Sequence, residues 1–139
     1  MNFQLSLRSI GIVKNEVSET VDDNWGEVVS EIQFTHVIVI FYMHQSSFDA
    51  RSDLIRRPRG REDMPAVGIF AQRAKHRPNP IGVTTVKLLE VYGAVLRVKG
   101  LDAVDGTPVL DIKPYFPVFD RRDDATVPAW VERLMEGYF

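Results

Sequence analysis

The recurrence, at short spacing, of segments rich in β-branched and aromatic residues is what most constrains this chain. LSLRSIGIV (5–13), EVVSEIQF (27–34), HVIVIFYM (36–43), AVGIF (66–70), VTTVKLLEV (83–91), AVLRVKGL (94–101) and PVLDIKPY (108–115) all read as strands. They do not alternate with helices of roughly 10 to 15 residues, as the strands of a doubly wound sheet do. A mainly β chain follows, with a small antiparallel β-barrel, closed or nearly closed, as the expected architecture. Tyr92 and Gly93 alone separate the fifth segment from the sixth, so those two should pair as a hairpin. His36 to Met43 is apolar on both alternating sets, Val37/Val39/Phe41/Met43 and Ile38/Ile40/Tyr42. That pattern predicts a central strand covered on both faces, by the chain itself or by a partner subunit. At the C-terminus VPAWVERLMEGYF places Pro128 in a first helical turn and Trp130, Val131 and Leu134 at helical spacing, which predicts a short closing helix. NEVSETVDDNWGE (15–27) and SSFDARSDLIRRPRGREDM (46–64) have no period and read as long loops.

At 139 residues the sequence has the size of one domain, 1–139, with no additional C-terminal domain expected. No apolar run approaches the roughly 20 residues of a membrane helix. The start, MNFQLSLRSIGIV, alternates apolar and polar residues unlike a secretory signal, which favours a cytoplasmic location. The absence of cysteine excludes disulfides, thiolate metal sites and every mechanism built on a cysteine nucleophile. His36, His44 and His76 show no metal-ligand spacing, so no metal site is expected. A Walker loop, a G-x-G-x-x-G and a G-x-S-x-G elbow are all missing. Net charge is only −2, but the eight basic residues between Arg51 and Arg77 face three acids there, giving +5 locally and −7 elsewhere. Such a basic segment on an acidic body suits phosphates, the alternative being a solvated, flexible basic loop.

Two clusters carry polar chemistry. In GIFAQRAKHRPNPIG (68–82) the prolines push Arg77 and Asn79 towards extended conformations, so successive side chains project in fixed directions. A guanidinium at Arg73 or Arg77 can grip a carboxylate through two parallel hydrogen bonds, and Asn79 offers both a donor and an acceptor. A zwitterionic or anionic small ligand fits that set, the alternative being a Pro-stiffened crossover whose arginines pair with nearby aspartates. In LDAVDGTPVLDIKPY (101–115) Asp105 and Gly106 read as turn formers, while Asp111 and Lys113, two apart in a strand, share a face flanked by apolar residues. Partial burial requires their charges to be met, either by each other or by a ligand.

GIFAQRAKHRPNPIG followed by DGTPVLDIKPY closely resembles the paired signatures of the TsaA-like, or TrmO, family, whose usual first signature is GVFATRSPHRPNPIG. The likeness runs from IGIV at 10–13 to Tyr115. It implies a small, usually dimeric β-barrel that binds S-adenosyl-L-methionine and methylates the exocyclic nitrogen of threonylcarbamoyladenosine beside the anticodon of transfer RNA. Carried over by position, the cofactor contacts implied are His44, Gln45, Arg73, Leu101, Asp105 and Thr107. This chain departs from the pattern at Gln72, Ala74 and Lys75, reads SEIQFTH in place of the lead-in GLEGFSH, and lacks the PRQ element.

A sulfonium donor is already activated, so methyl transfer asks mainly for in-line placement and needs no covalent nucleophile. The proton released by the acceptor nitrogen has Asp111 and His76 as candidate acceptors, or a positioned water. Arg56, Arg57, Arg59 and Arg61 are expected to hold RNA phosphates, with Arg77, Asn79, Lys113 and Tyr115 as further substrate contacts. The competing readings are a methyltransferase of a small molecule or other nucleic acid, and a non-catalytic S-adenosylmethionine-binding module.

Overall fold

Alternation of apolar and polar side chains gives strands that bury one face, and the computed structural model, which describes residues 4–14 and 34–138, is built mainly of such strands. The elements are β1 (Gly11–Ile12), β2 (His36–Tyr42), β3 (Ile55–Arg56), β4 (Val67–Gly68), β5 (Ile81–Tyr92), β6 (Val95–Lys99), β7 (Pro108–Pro114), α1 (Pro117–Asp120) and α2 (Ala129–Met135). The expected strand at 27–34, apart from Phe34, and the acidic loop at 15–27 lie outside the described residues. The chain divides into two compact units, one formed by the residues up to His44 with Ile81–Phe116, the other by Gln45–Pro80 with the residues from Pro117 on.

In the first unit five strands form an antiparallel sheet in the order β1-β7-β2-β5-β6, curled as a half-barrel. Among the described residues β1 and β6 are its two edges, so the small barrel anticipated from the sequence is open there. β2 is central as expected, paired with β5 from His36↔Lys87 to Tyr42↔Ile81 and with β7 on its other side. Val37, Val39 and Phe41 are buried with Val13, Val86 and Val109, each such side chain contributing about 1.5–3 kcal/mol on leaving water. The second face of β2 differs from expectation: Ile38 and Ile40 are half-buried and Tyr42 is 43% exposed. Cover on that face is therefore incomplete among the described residues.

The hairpin joining β5 to β6 turns one residue later than the sequence suggested. β5 continues through Tyr92, and Gly93 takes the turn with φ +53°, a conformation that favours glycine. Expected strand 5–13 shrinks to Gly11–Ile12, because beyond Ile10 the chain leaves β7 and Leu5 and Leu7 are exposed. Segment 66–70 becomes the two residues of β4 and a 3-10 turn, Ile69–Ala71. The closing helix appears as α2, with Pro128 immediately before it and Trp130, Val131 and Leu134 half-buried on one side.

A β-bulge sets the orientation of the polar residues of β7. Ile40 lies opposite Asp111 while Phe41 lies opposite Val109, leaving Leu110 as an extra residue. In an unbroken strand Asp111 and Lys113 would share the buried face of Val109. The inserted Leu110 shifts the alternation by one position, so Ile112 joins the core and the charged pair turns to the opposite face.

Candidate functional site

In the second unit the signature loop is anchored by two buried residues. Ile69 is 2% exposed, and its N–H donates to the Leu54 carbonyl at 2.9 Å. Gln72 is 8% exposed, and its Nε2 donates to the carbonyls of Arg56 at 3.1 Å and Val67 at 3.0 Å. A buried side-chain amide satisfied in this way fixes the loop, a role that no residue pattern signals beyond an unusual Gln at that position. From these anchors the polar side chains project differently. Arg77 bends back, donating from Nη1 to the carbonyls of Gln72 at 3.2 Å and Ala74 at 3.4 Å, with its guanidinium 6.0 Å from the centre of the Phe70 ring. Arg73, Lys75 and Asn79 are exposed. Arg73 has no hydrogen-bond or ion-pair partner among the described residues, so its planar fork is available to a ligand.

His76, half-buried, has Nδ1 2.8 Å from the Ser47 carbonyl oxygen and 3.3 Å from the Ser47 N–H. The tautomer decides which contact is made: with Nδ1 protonated it donates to the Ser47 carbonyl and leaves Nε2 as the acceptor nitrogen, and with Nδ1 unprotonated it accepts the Ser47 N–H.

The four loop arginines all have intramolecular partners. Arg56 pairs with Asp53 at 2.8 Å, and Asp53, 7% exposed, also accepts the Asp49 N–H at 2.7 Å. Arg57 donates from Nη1 to the Met64 carbonyl. Arg59, at φ +53°, lies 4.9 Å from the centre of the Tyr138 ring. Arg61 makes a two-point contact with Asp63, 2.9 Å from Nε and 2.6 Å from Nη2. That contact lowers the pKa of Asp63 and raises that of Arg61, in both cases chiefly through the side-chain hydrogen bond. Each arginine keeps further N–H groups, but part of its capacity is already used.

In the sheet unit His44 and the segment from Leu101 to Thr107 carry the expected cofactor positions. His44 follows β2 and is exposed, its N–H donating to the Tyr42 carbonyl at 2.8 Å; Gln45, the first residue of the second unit, is exposed too. Leu101 is half-buried against the core and Asp105 is half-buried. Thr107 is 2% exposed and its Oγ1 donates to the Val104 carbonyl at 2.7 Å. The Gly106 N–H donates to the Val13 carbonyl and the Val13 N–H to the Thr107 carbonyl, tying this turn to the residue after β1.

Asp111 and Lys113 satisfy each other at 2.6 Å, with side chains 46% and 60% exposed, so the burial anticipated for them is slight. The Lys113 hydrogen bond holds the Asp111 carboxylate below its ordinary pKa, aided by the Ile112 N–H at 2.9 Å. Tyr115 packs edge-on to His36, ring centres 6.4 Å apart. The sheet also bounds a groove of about 660 Å³ walled by Val37, Val39, Leu96, Val98, Leu101 and Ile112 among others. Of the sequence-predicted positions only Leu101 lines it. Among the described residues no three His, Asp or Glu gather as a metal site, and no helix is long and apolar enough to cross a membrane.

Known proteins resemble this chain over most of its length. A probable S-adenosyl-L-methionine-binding protein of Pyrococcus abyssi is 43% identical over 101 residues, covering 73% of this chain and 52% of that protein. The tRNA (adenine(37)-N6)-methyltransferase of Escherichia coli is 37% identical over 129 residues, covering 86% of this chain and 54% of that enzyme. The crystal structure of TrmO from Pseudomonas aeruginosa superposes with a TM-score of 0.54 at 40% identity, over 70% of this chain and 38% of that one. The chain thus spans about half, or less, of the length of these relatives. The family model of the tRNA-methyltransferase O N-terminal domain matches residues 12–121, which include the half-barrel, the anchored signature loop and the turn before β7. On that match, and on a fold shared at 40% identity, the chain belongs to the tRNA-methyltransferase O N-terminal domain family.

Proposed function

We propose that the chain binds S-adenosyl-L-methionine and methylates the exocyclic nitrogen of threonylcarbamoyladenosine beside the anticodon of transfer RNA. The observation that carries this reading is the signature loop, fixed by Ile69 and Gln72 and presenting Arg73 with no partner among the described residues. A free guanidinium on a fixed backbone suits the carboxylate of an amino-acid ligand. The name of the Pyrococcus relative supports the cofactor, and that of the Escherichia relative supports N6-methylation of adenine 37 in transfer RNA.

Arg73 would hold the cofactor with His44, Gln45, Leu101, Asp105 and Thr107, the last through its backbone since its hydroxyl is already bonded inward. When bound, the cofactor supplies a methyl group activated on a sulfonium. The chain's own work is to place the acceptor nitrogen in line with that methyl and to accept the proton the nitrogen gives up. His76 suits the second task better than Asp111. In the tautomer that donates Nδ1–H to the Ser47 carbonyl, Nε2 is placed to take a proton, whereas Lys113 makes the Asp111 carboxylate a weaker base. Arg56, Arg57, Arg59 and Arg61 reach phosphates with the donors their internal contacts leave over, and Asn79, Lys113 and Tyr115 complete the substrate contacts. Arg77 supports the loop and adds charge.

A cytoplasmic location and assembly as a homodimer belong to the same proposal. The sheet face bearing Ile38, Ile40, Tyr42 and Val83, incompletely covered among the described residues, supports the dimer.

The test incubates the parent protein and Arg73→Ala with methyl-labelled S-adenosyl-L-methionine and total transfer RNA, prepared with and without the threonylcarbamoyl modification. Label is expected in one methylated nucleoside of the modified RNA only, with more than tenfold weaker cofactor binding by the variant. Label in another nucleoside, or equal labelling of both RNA pools, would overturn the assignment.

A further inference from the structure

We propose that Phe70 is a stacking platform for an unpaired base of the bound RNA. The inference rests on the transfer-RNA reading and adds to it the side chain that meets a base. Phe70 is 80% exposed although its neighbours Ile69 and Gln72 are among the most buried residues of the second unit. The turn Ile69–Ala71 is pinned at one end by the Ile69 N–H on the Leu54 carbonyl and at the other by the two hydrogen bonds of the Gln72 amide. With both flanks fixed, Phe70 has no route into the core. The fold holds a large apolar ring in water at a defined place.

The surroundings of the ring favour a nucleobase as its occupant. Arg77, tethered to the Gln72 and Ala74 carbonyls, sets its guanidinium 6.0 Å from the ring centre, a distance at which cation and ring attract and the ring is steadied. The rest of the ring stays open to a second flat group. Lys75, exposed and without a partner among the described residues, follows five positions on. An apolar protein surface laid on Phe70 would strip water from these cations without compensation, whereas a nucleotide brings a π-face for the ring and a phosphate for the charges. Aromatic rings beside cationic groups are the usual way a protein holds single-stranded nucleic acid, and the anticodon loop supplies unpaired bases.

The experiment measures binding of the full chain to transfer RNA and to an anticodon-loop oligoribonucleotide, for the parent and for Phe70→Ala, Phe70→Leu and Phe70→Trp, across a salt series. Because the side chain is exposed, all variants should melt as the parent does. The alanine and leucine variants should both lose roughly 5- to 100-fold in RNA affinity, and the tryptophan variant should keep it. The slope of affinity against salt should be the same in all four, since no phosphate contact is removed. Cofactor binding should be unchanged, and the new tryptophan of the third variant should lose fluorescence on adding RNA. Leucine binding RNA as well as phenylalanine does, or a tryptophan that RNA leaves unquenched, overturns the platform while the transfer-RNA reading stands. A parent protein that binds neither RNA overturns both.

Discussion

A guanidinium recognises a ligand only with donors the fold has not already used, and on that ground Arg73 and Arg77 part company. The sequence presents them as equals, four positions apart in one motif, but Arg77 spends Nη1 on two carbonyls of its own loop. Nothing in residue type or spacing foretells this, because it depends on where the chain turns after Gln72. The Asp111–Lys113 pair was legible by contrast, since strand alternation sets two such residues side by side. Its titration gives a prediction. The pKa of Asp111 is depressed in the folded state, first by the Lys113 hydrogen bond, so the stabilisation exists above the ordinary carboxylate value of about 3.9 and disappears as pH falls through the lower folded value. Lys113→Met should raise the Asp111 midpoint, read by carboxyl carbon NMR. For a pair this exposed it should cost about 0.2–1 kcal/mol near neutral pH and nothing in strong acid. A midpoint that stays put would place the cause elsewhere.

β2 and β5 meet at a point that tolerates no extra atom. Gly82 lies opposite Phe41, and a Cβ there would overlap ring carbons Cε2 and Cζ and come within 2.9 Å of Cδ2. The ring is 3% exposed and has nowhere to go. Gly82→Ala should therefore destabilise the chain by about 1–3 kcal/mol in urea unfolding, and Phe41→Leu in the same chain should make that second change less harmful than it is alone. Additive losses would show that the ring does not set the limit. The glycine is visible in the sequence; its reason is a cross-strand neighbour about 40 positions away. Strands with a full period, β2, β5 and β6, were readable for the same cause that makes them stable, a continuous apolar face. β3 leaves no sequence signal because two residues hold no period, and the bulge at Leu110 leaves none because it adds a residue without changing composition.

Across the molecule the two units differ in how their backbones are satisfied. The sheet unit is laddered by five strands, whereas the second unit has one two-residue ladder, short helices and side-chain anchors such as Asp53 and Gln72. Hydrogen exchange should reflect this: amides of β2, paired on both sides, should outlast those of residues 45–80 by orders of magnitude. Equal protection of both would mean that the units open together. The pairing of Tyr42 with Ile81 has a further consequence. These partners bracket the signature loop, so the whole segment between them is closed by a single hairpin step of the sheet. Closure entropy grows only logarithmically with length, about 0.6 kcal/mol for each doubling. Insertions, deletions and wholesale exchange between Tyr42 and Ile81 therefore cost the sheet little. Selection can rework what this lineage recognises while leaving the half-barrel that carries it almost untouched.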